Sequence, residues 1–106
     1  MKFFEFFQSS DINRDVEQFR SVEGALLLDV RGADEYAEGH IPGSVNIPLQ
    51  VLPTKRGLPE NLDTPLFVYC RSGGRSRRAA AFLEKIGYRH VKNIGGIMNW
   101  NGPVEN

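Results

Sequence analysis

Two short and nearly continuous apolar runs stand in the middle of the chain, at residues 26–30 and 66–69. Each run is too short for a buried helix and is typical of a central parallel strand, whose two faces are both covered. Apolar positions at residues 45–47 and 90–94 predict two more short strands, and the aromatic residues at 3–7 predict another. The pattern therefore predicts a sheet built around two fully buried strands.

Helical patterns separate these strands. Ser10 or Asp11 can cap a helix over residues 12–20, and residues 33–38 are long enough for one or two helical turns. After residue 70, apolar side chains recur at the spacing of one helix face, and a glycine follows as a stop: Ala79, Phe82, Leu83, Ile86, then Gly87. A short helix is expected near residues 97–100. Strands that alternate with helices predict an α/β domain, and we expect residues 1–106 to form one domain.

Composition narrows the possible functions. The 106 residues carry 13 basic and 13 acidic side chains, and this balance argues against nonspecific nucleic-acid binding. The single cysteine excludes an intrachain disulfide and a thiol-rich metal site. The apolar N-terminal stretch contains Glu5 and is too short for a signal peptide, and no run reaches the length of a membrane span. We therefore expect a cytoplasmic protein with no membrane partner.

The candidate chemistry lies where the second buried strand turns into a helix, in the segment Cys70, Arg71, Ser72, Gly73, Gly74, Arg75 and Ser76. This position places the sulfur at the carboxyl edge of the sheet, in front of a helix N-terminus with unpaired N–H groups. Two glycines let the backbone amides point inward, and Arg71, Arg75, Arg77 and Arg78 add positive charge. Helix and arginines together are expected to lower the pKa of the thiol. The segment thus suits a sulfur anion and an anionic partner.

Five blocks of the sequence together resemble the single-domain rhodaneses, a family of sulfurtransferases. They occur in the family's order, at residues 28–31, 34–36, 39–48, 70–76 and 95–100. The resemblance implies a rhodanese-like fold, with a mainly parallel five-stranded sheet flanked by helices on both faces. It also implies a mechanism in which Cys70 takes the outer sulfur of thiosulfate, or of a persulfide donor protein, and passes it to cyanide or a thiol. No metal and no organic cofactor is implied.

The resemblance also assigns roles to individual residues. Cys70 is the expected nucleophile, and substrate binding is expected from the rest of the loop: Arg71, Ser72, Gly73, Gly74, Arg75 and Ser76. Arg71, together with Arg75, is expected to hold the sulfite end of thiosulfate. Paired charges at Asp29, Arg31 and Glu35 are expected to support the rim of the site. Because the chain ends soon after residue 100, we expect a shallow and exposed site, in a monomer or a weak homodimer.

Three alternatives accompany this interpretation. A cysteine at the end of an apolar strand can be simply a small buried hydrophobe. A cysteine-dependent phosphatase or arsenate reductase also combines a cysteine, an amide cradle and an arginine, but that class has five residues between the cysteine and the arginine. Here four residues separate Cys70 from Arg75, which suits one sulfur atom better than a phosphate. A non-catalytic module for sulfur delivery or protein binding is the third alternative.

Overall fold

The computed structural model describes residues 11–106, which form one parallel sheet with helices on both faces. The strands are β1 (Leu26–Asp29), β2 (Ser44–Asn46), β3 (Leu66–Cys70) and β4 (Val91–Gly96), in the spatial order β2-β1-β3-β4. The helices are α1 (Ile12–Ser21), α2 (Ala33–Glu38) and α3 (Gly74–Lys85), with 3₁₀ helices at Leu49–Thr54 and Ile97–Asn99. None of these helices has the length and apolar character that crossing a bilayer requires.

The predicted α/β architecture is confirmed, with one difference in the sheet. Residues 11–106 contribute four strands rather than the five expected, and the strand predicted at residues 3–7 lies outside the described residues. Helix α3 begins at Gly74, directly after the loop. The preceding Gly73 has a φ of 110°, a left-handed conformation that turns the chain sharply into the helix.

Strand β3 is buried along its whole length and divides the core into two layers. Leu66, Val68 and Cys70 belong to the layer that also contains Ala79 and Leu83 of α3. The alternate side chains of β3 belong to the opposite layer, which α1 covers: Phe67 and Tyr69, packed with Ile12 and Val16. The cysteine therefore lies on the α3 side of the sheet.

The pairing of β3 with β4 contains an irregularity that brings β4 to the cysteine. Val68 is opposite Asn93, but Tyr69 is opposite Gly95, so that Ile94 is an extra residue on β4. Such a bulge bends a strand, and the φ of 97° at Gly95 accompanies it here. Beyond the bulge, Gly96 is the register partner of Cys70. The end of β4 is thus placed directly beside the start of the loop.

Candidate active site

The cysteine lies at the end of β3, beneath the loop that follows it. Only 1% of Cys70 is exposed, which differs from the shallow and exposed site that we expected. The backbone N–H of Gly73 donates a hydrogen bond to the Cys70 Sγ over 3.0 Å. Burial alone would fit a small hydrophobic cysteine of the core. The hydrogen bond from the Gly73 amide to the sulfur favours a functional cysteine instead.

Opposing effects act on the pKa of the Cys70 thiol. Burial, the largest of them, raises this pKa because it disfavours the charged thiolate. Hydrogen bonds from the Ser76 side chain and from the backbone amides of Ser76, Gly73 and Ser72 lower it, and together they outweigh burial. The net result is a pKa below the ordinary value of the thiol. The loop is thus arranged to stabilise a sulfur anion.

The loop packs directly against the backbone of β4, with no room for a side chain between the two segments. A β-carbon built on Gly96 would lie 2.1 Å from the Arg71 carbonyl oxygen and 2.5 Å from the Ser72 Cα. The amide of Met98 donates to the same Arg71 oxygen over 3.1 Å. Only a glycine fits at this position, and β4 thereby fixes the first residues of the loop.

Arg75 forms a two-pronged salt bridge instead of pointing freely into the site. Its Nη1 and Nη2 donate to the two carboxylate oxygens of Glu35 over 2.7 and 3.0 Å. The hydrogen bonds from Arg75 are the largest effect on the Glu35 carboxyl and lower its pKa. Burial raises this pKa and the Gly32 amide lowers it, and the net value is about 2. The guanidinium expected to bind substrate is therefore engaged by Glu35, one of the residues expected to support the rim. Arg71 is exposed and forms no ion pair with any residue from 11 to 106.

A second ion pair braces the neighbouring strand end. Asp29 and Arg31 are both buried, and the Arg31 guanidinium donates to both Asp29 carboxylate oxygens over distances of 2.7 to 3.0 Å. Arg31 also donates to the Gly39 carbonyl over 2.7 Å. The pair therefore ties the end of β1 to the chain that follows α2.

Comparison with known proteins assigns this arrangement to a family. The Rhodanese-like domain family matches residues 13–103, nearly the whole chain. The chain belongs to the rhodanese-like domain family.

Individual relatives agree with this assignment. The thiosulfate sulfurtransferase PspE of Escherichia coli is 38% identical over 72 residues, which cover 66% of this chain and 68% of PspE. The adenylyltransferase and sulfurtransferase uba4 of Ogataea parapolymorpha is 36% identical over 91 residues, 85% of this chain but only 23% of uba4. The chain thus spans less than a quarter of that longer relative. The solution structure of a rhodanese-like domain from the Anabaena protein Alr3790 superposes with a TM-score of 0.80 at 26% identity, over 92% of this chain and 78% of that one.

Asn93 is a site residue of this rhodanese-like domain that was not expected from the sequence. The hydroxyl of Ser76, a residue with 0% exposure, lies 2.7 Å from the side-chain oxygen of Asn93 on β4. The same Asn93 oxygen accepts the backbone N–H of Gly95 over 3.0 Å. Asn93 stands beside a second polar residue, Lys92, in this strand, and no pattern in the sequence singles it out. Its proximity to Ser76 depends on the pairing of β3 with β4, which the sequence does not reveal.

Proposed function

We propose that the protein is a sulfurtransferase that carries sulfane sulfur on Cys70. The Cys70 thiolate attacks the outer sulfur of thiosulfate, and a sulfur–sulfur bond forms as the bond within thiosulfate breaks. Sulfite leaves with the electron pair, and Cys70 becomes a persulfide. A thiol or cyanide then attacks the terminal sulfur, takes it as a persulfide or as thiocyanate, and returns Cys70 to the thiolate. Atoms and charge balance in both steps without any cofactor.

The observation that carries this proposal is the set of N–H groups around the Cys70 sulfur. Hydrogen bonds from the loop favour the thiolate, which is the reactive form of a cysteine. The same donors are placed to stabilise the negative terminal sulfur of a persulfide, because preorganised dipoles need no rearrangement when charge develops. Relatives named as sulfurtransferases support the same reaction class.

The side chain best placed to receive the donor is that of Arg71. It directly follows the cysteine, is exposed, and has no ion-pair partner within the described part of the chain. An exposed guanidinium can pair with the sulfonate oxygens of thiosulfate or with an acidic group on a persulfide donor protein. Arg71 therefore takes the substrate-binding role alone, while Arg75 stiffens the loop through Glu35.

The engagement of Arg75 also argues against a phosphatase. That chemistry needs an arginine free to neutralise a phosphate, and both terminal nitrogens of Arg75 are hydrogen-bonded to Glu35. The lowered pKa of Glu35 shows that the carboxylate remains charged at neutral pH and keeps its hold on the guanidinium. A non-catalytic binding module would not require a thiol with a lowered pKa.

The test is to load the purified protein with thiosulfate, remove the excess, and record the intact mass. We expect a gain of one sulfur atom on the wild type, none on Cys70→Ser, and release of thiocyanate when cyanide is added. Absence of the gain with thiosulfate and with a persulfide donor would refute the proposal. Phosphate release from an aryl phosphate that depends on Cys70 would support the phosphatase instead.

Arg71→Ala separates binding from chemistry. Loss of one charge-assisted contact of about 1.4 kcal/mol raises the KM for thiosulfate roughly tenfold. The matched control is Arg89→Ala, an exposed arginine that pairs with Asp63 near the opposite edge of the sheet. If both variants have the KM of the wild type, Arg71 does not bind the donor.

A further inference from the structure

The Ser76 hydroxyl has one proton and several possible acceptors. The side-chain oxygen of Asn93 lies at 2.7 Å, the Gly73 carbonyl at 3.1 Å and the Gly95 carbonyl at 3.4 Å. A hydroxyl donates one hydrogen bond at a time, and the shortest contact takes the proton. While the Ser76 hydroxyl donates this hydrogen bond to Asn93, it cannot donate to the Cys70 sulfur.

The orientation of the Asn93 amide is fixed by its second contact. The backbone N–H of Gly95 points at the same Asn93 atom over 3.0 Å, so this atom must be an acceptor, the oxygen rather than the nitrogen. The Asn93 oxygen can therefore only accept a hydrogen bond from the Ser76 hydroxyl and cannot donate one to it. The bulge at Ile94 creates this arrangement, because it places the Gly95 amide near the Asn93 side chain.

We propose that Asn93 is a positioning residue whose side-chain oxygen competes with the Cys70 sulfur for the single hydroxyl proton of Ser76. When Cys70 is a thiol, Ser76 donates to Asn93. When the sulfur ionises or carries a persulfide, the hydroxyl turns and donates to the anion, and the bond to Asn93 is lost. A stronger Ser76–Asn93 bond therefore makes Cys70 harder to ionise.

The inference deepens the proposed function, because it concerns the nucleophile of that reaction. The hydroxyl of Ser76 leads the hydrogen-bond donors that lower the Cys70 pKa, ahead of the backbone amides of Ser76, Gly73 and Ser72, so a change in what the hydroxyl donates to changes that pKa. The charged groups in or beside the loop are Arg71, Arg75 with its partner Glu35 on α2, and the Asp29–Arg31 pair at the end of β1. The side-chain hydrogen bonds of Asn93 go to Ser76 and Gly95 and to none of these charged groups.

The experiment is a double-mutant cycle read on the full chain by the rate of alkylation with iodoacetamide across pH. Because the chain has one cysteine, the pH profile reports the pKa of Cys70 alone. We expect Asn93→Ala to free the Ser76 proton and to increase the alkylation rate below the pKa roughly three- to tenfold. Ser76→Ala slows alkylation, and adding Asn93→Ala to Ser76→Ala changes the rate by less than about twofold.

A second variant covers the case in which Asn93→Ala does not fold. Asn93→Asp keeps an acceptor for both Gly95 and Ser76 and slows alkylation more with Ser76 present than in the Ser76→Ala background. Equal effects of Asn93→Ala, or of Asn93→Asp, in the two backgrounds would overturn the inference, because the residue would then not act through the hydroxyl. Asn61→Ala, an exposed asparagine in a turn, is the control. Alkylation uses no sulfur donor, so failure here is distinct from failure of the sulfurtransferase proposal.

Discussion

The contact between β4 and the loop makes Gly96→Ala a severe test of how the site is built. The added β-carbon would lie 2.1 Å from the Arg71 carbonyl oxygen, whereas ordinary contact begins at 3.4 Å. The obstructing atoms belong to the backbone, so one of the two segments must move by about an ångström. Overpacking of this kind costs about 1–3 kcal/mol. At roughly 4–8 °C per kcal/mol, the Tm of a domain of this size falls by about 4–24 °C.

Urea unfolding and the pH profile of Cys70 alkylation check this expectation together. Displacement of the loop moves the amides of Ser72 and Gly73 away from the sulfur, so the pKa of Cys70 rises toward its ordinary value. The control is Gly39→Ala, whose β-carbon meets the Val104 side chain at an ordinary 3.6 Å. A Gly96→Ala protein with unchanged stability and an unchanged Cys70 pKa would refute the idea that β4 positions the loop.

Two further predictions concern the ion pairs. Glu35→Gln weakens the half-exposed link to Arg75 and costs about 0.5–1 kcal/mol at pH 7. Since folding lowers the Glu35 pKa from 4.5 to about 2, the wild type keeps this advantage above about pH 4.5 and loses it as the pH falls toward 2. Urea unfolding at several pH values checks this, and a difference independent of pH would contradict it. Asp29→Asn leaves the buried Arg31 charge with the Gly39 carbonyl and costs about 3–5 kcal/mol. A loss below 1 kcal/mol in thermal or urea unfolding would show that the pair is dispensable.

Most of the fold within residues 11–106 could be predicted from local patterns. The run at residues 66–69 is apolar at every position, and the structure buries each of its side chains on one face or the other. The helix face at Ala79 and Leu83 followed from spacing alone, and both residues are fully buried. The sharp entry into α3 depends on the left-handed backbone of Gly73, which no periodicity predicts. A glycine in the sequence shows that such a conformation is possible, not that it is used.

For the site, as for the fold, the sequence predicts which neighbouring residues act together but not which distant residues the fold brings into contact. The cysteine, the glycines and the arginines are contiguous, so their grouping is visible in the sequence. Glu35 and Arg75 are 40 residues apart, and Ser76 and Asn93 are 17 apart, so these pairs depend on how the elements pack. Directly after Asn93, a one-residue bulge in β4 shifts the register of every later residue of that strand. No periodicity in the sequence encodes that shift.

The structure also changes the role of the positive charge around the cysteine. The sequence led us to expect that the helix N-terminus and the loop arginines together lower the thiol pKa. The leading contributions that lower it are hydrogen bonds from Ser76, Gly73 and Ser72, and Arg75 also interacts with Cys70 through its charge. These donors are neutral dipoles next to the sulfur and are hardly screened by salt, whereas an exposed guanidinium such as that of Arg71 is screened beyond about 8–10 Å at physiological ionic strength. Stabilising the anion and attracting the donor are therefore separate tasks of separate groups. Added salt then weakens the capture of a thiosulfate dianion while the ionisation of Cys70 stays nearly constant, because the bonds that hold the sulfur do not depend on net charge.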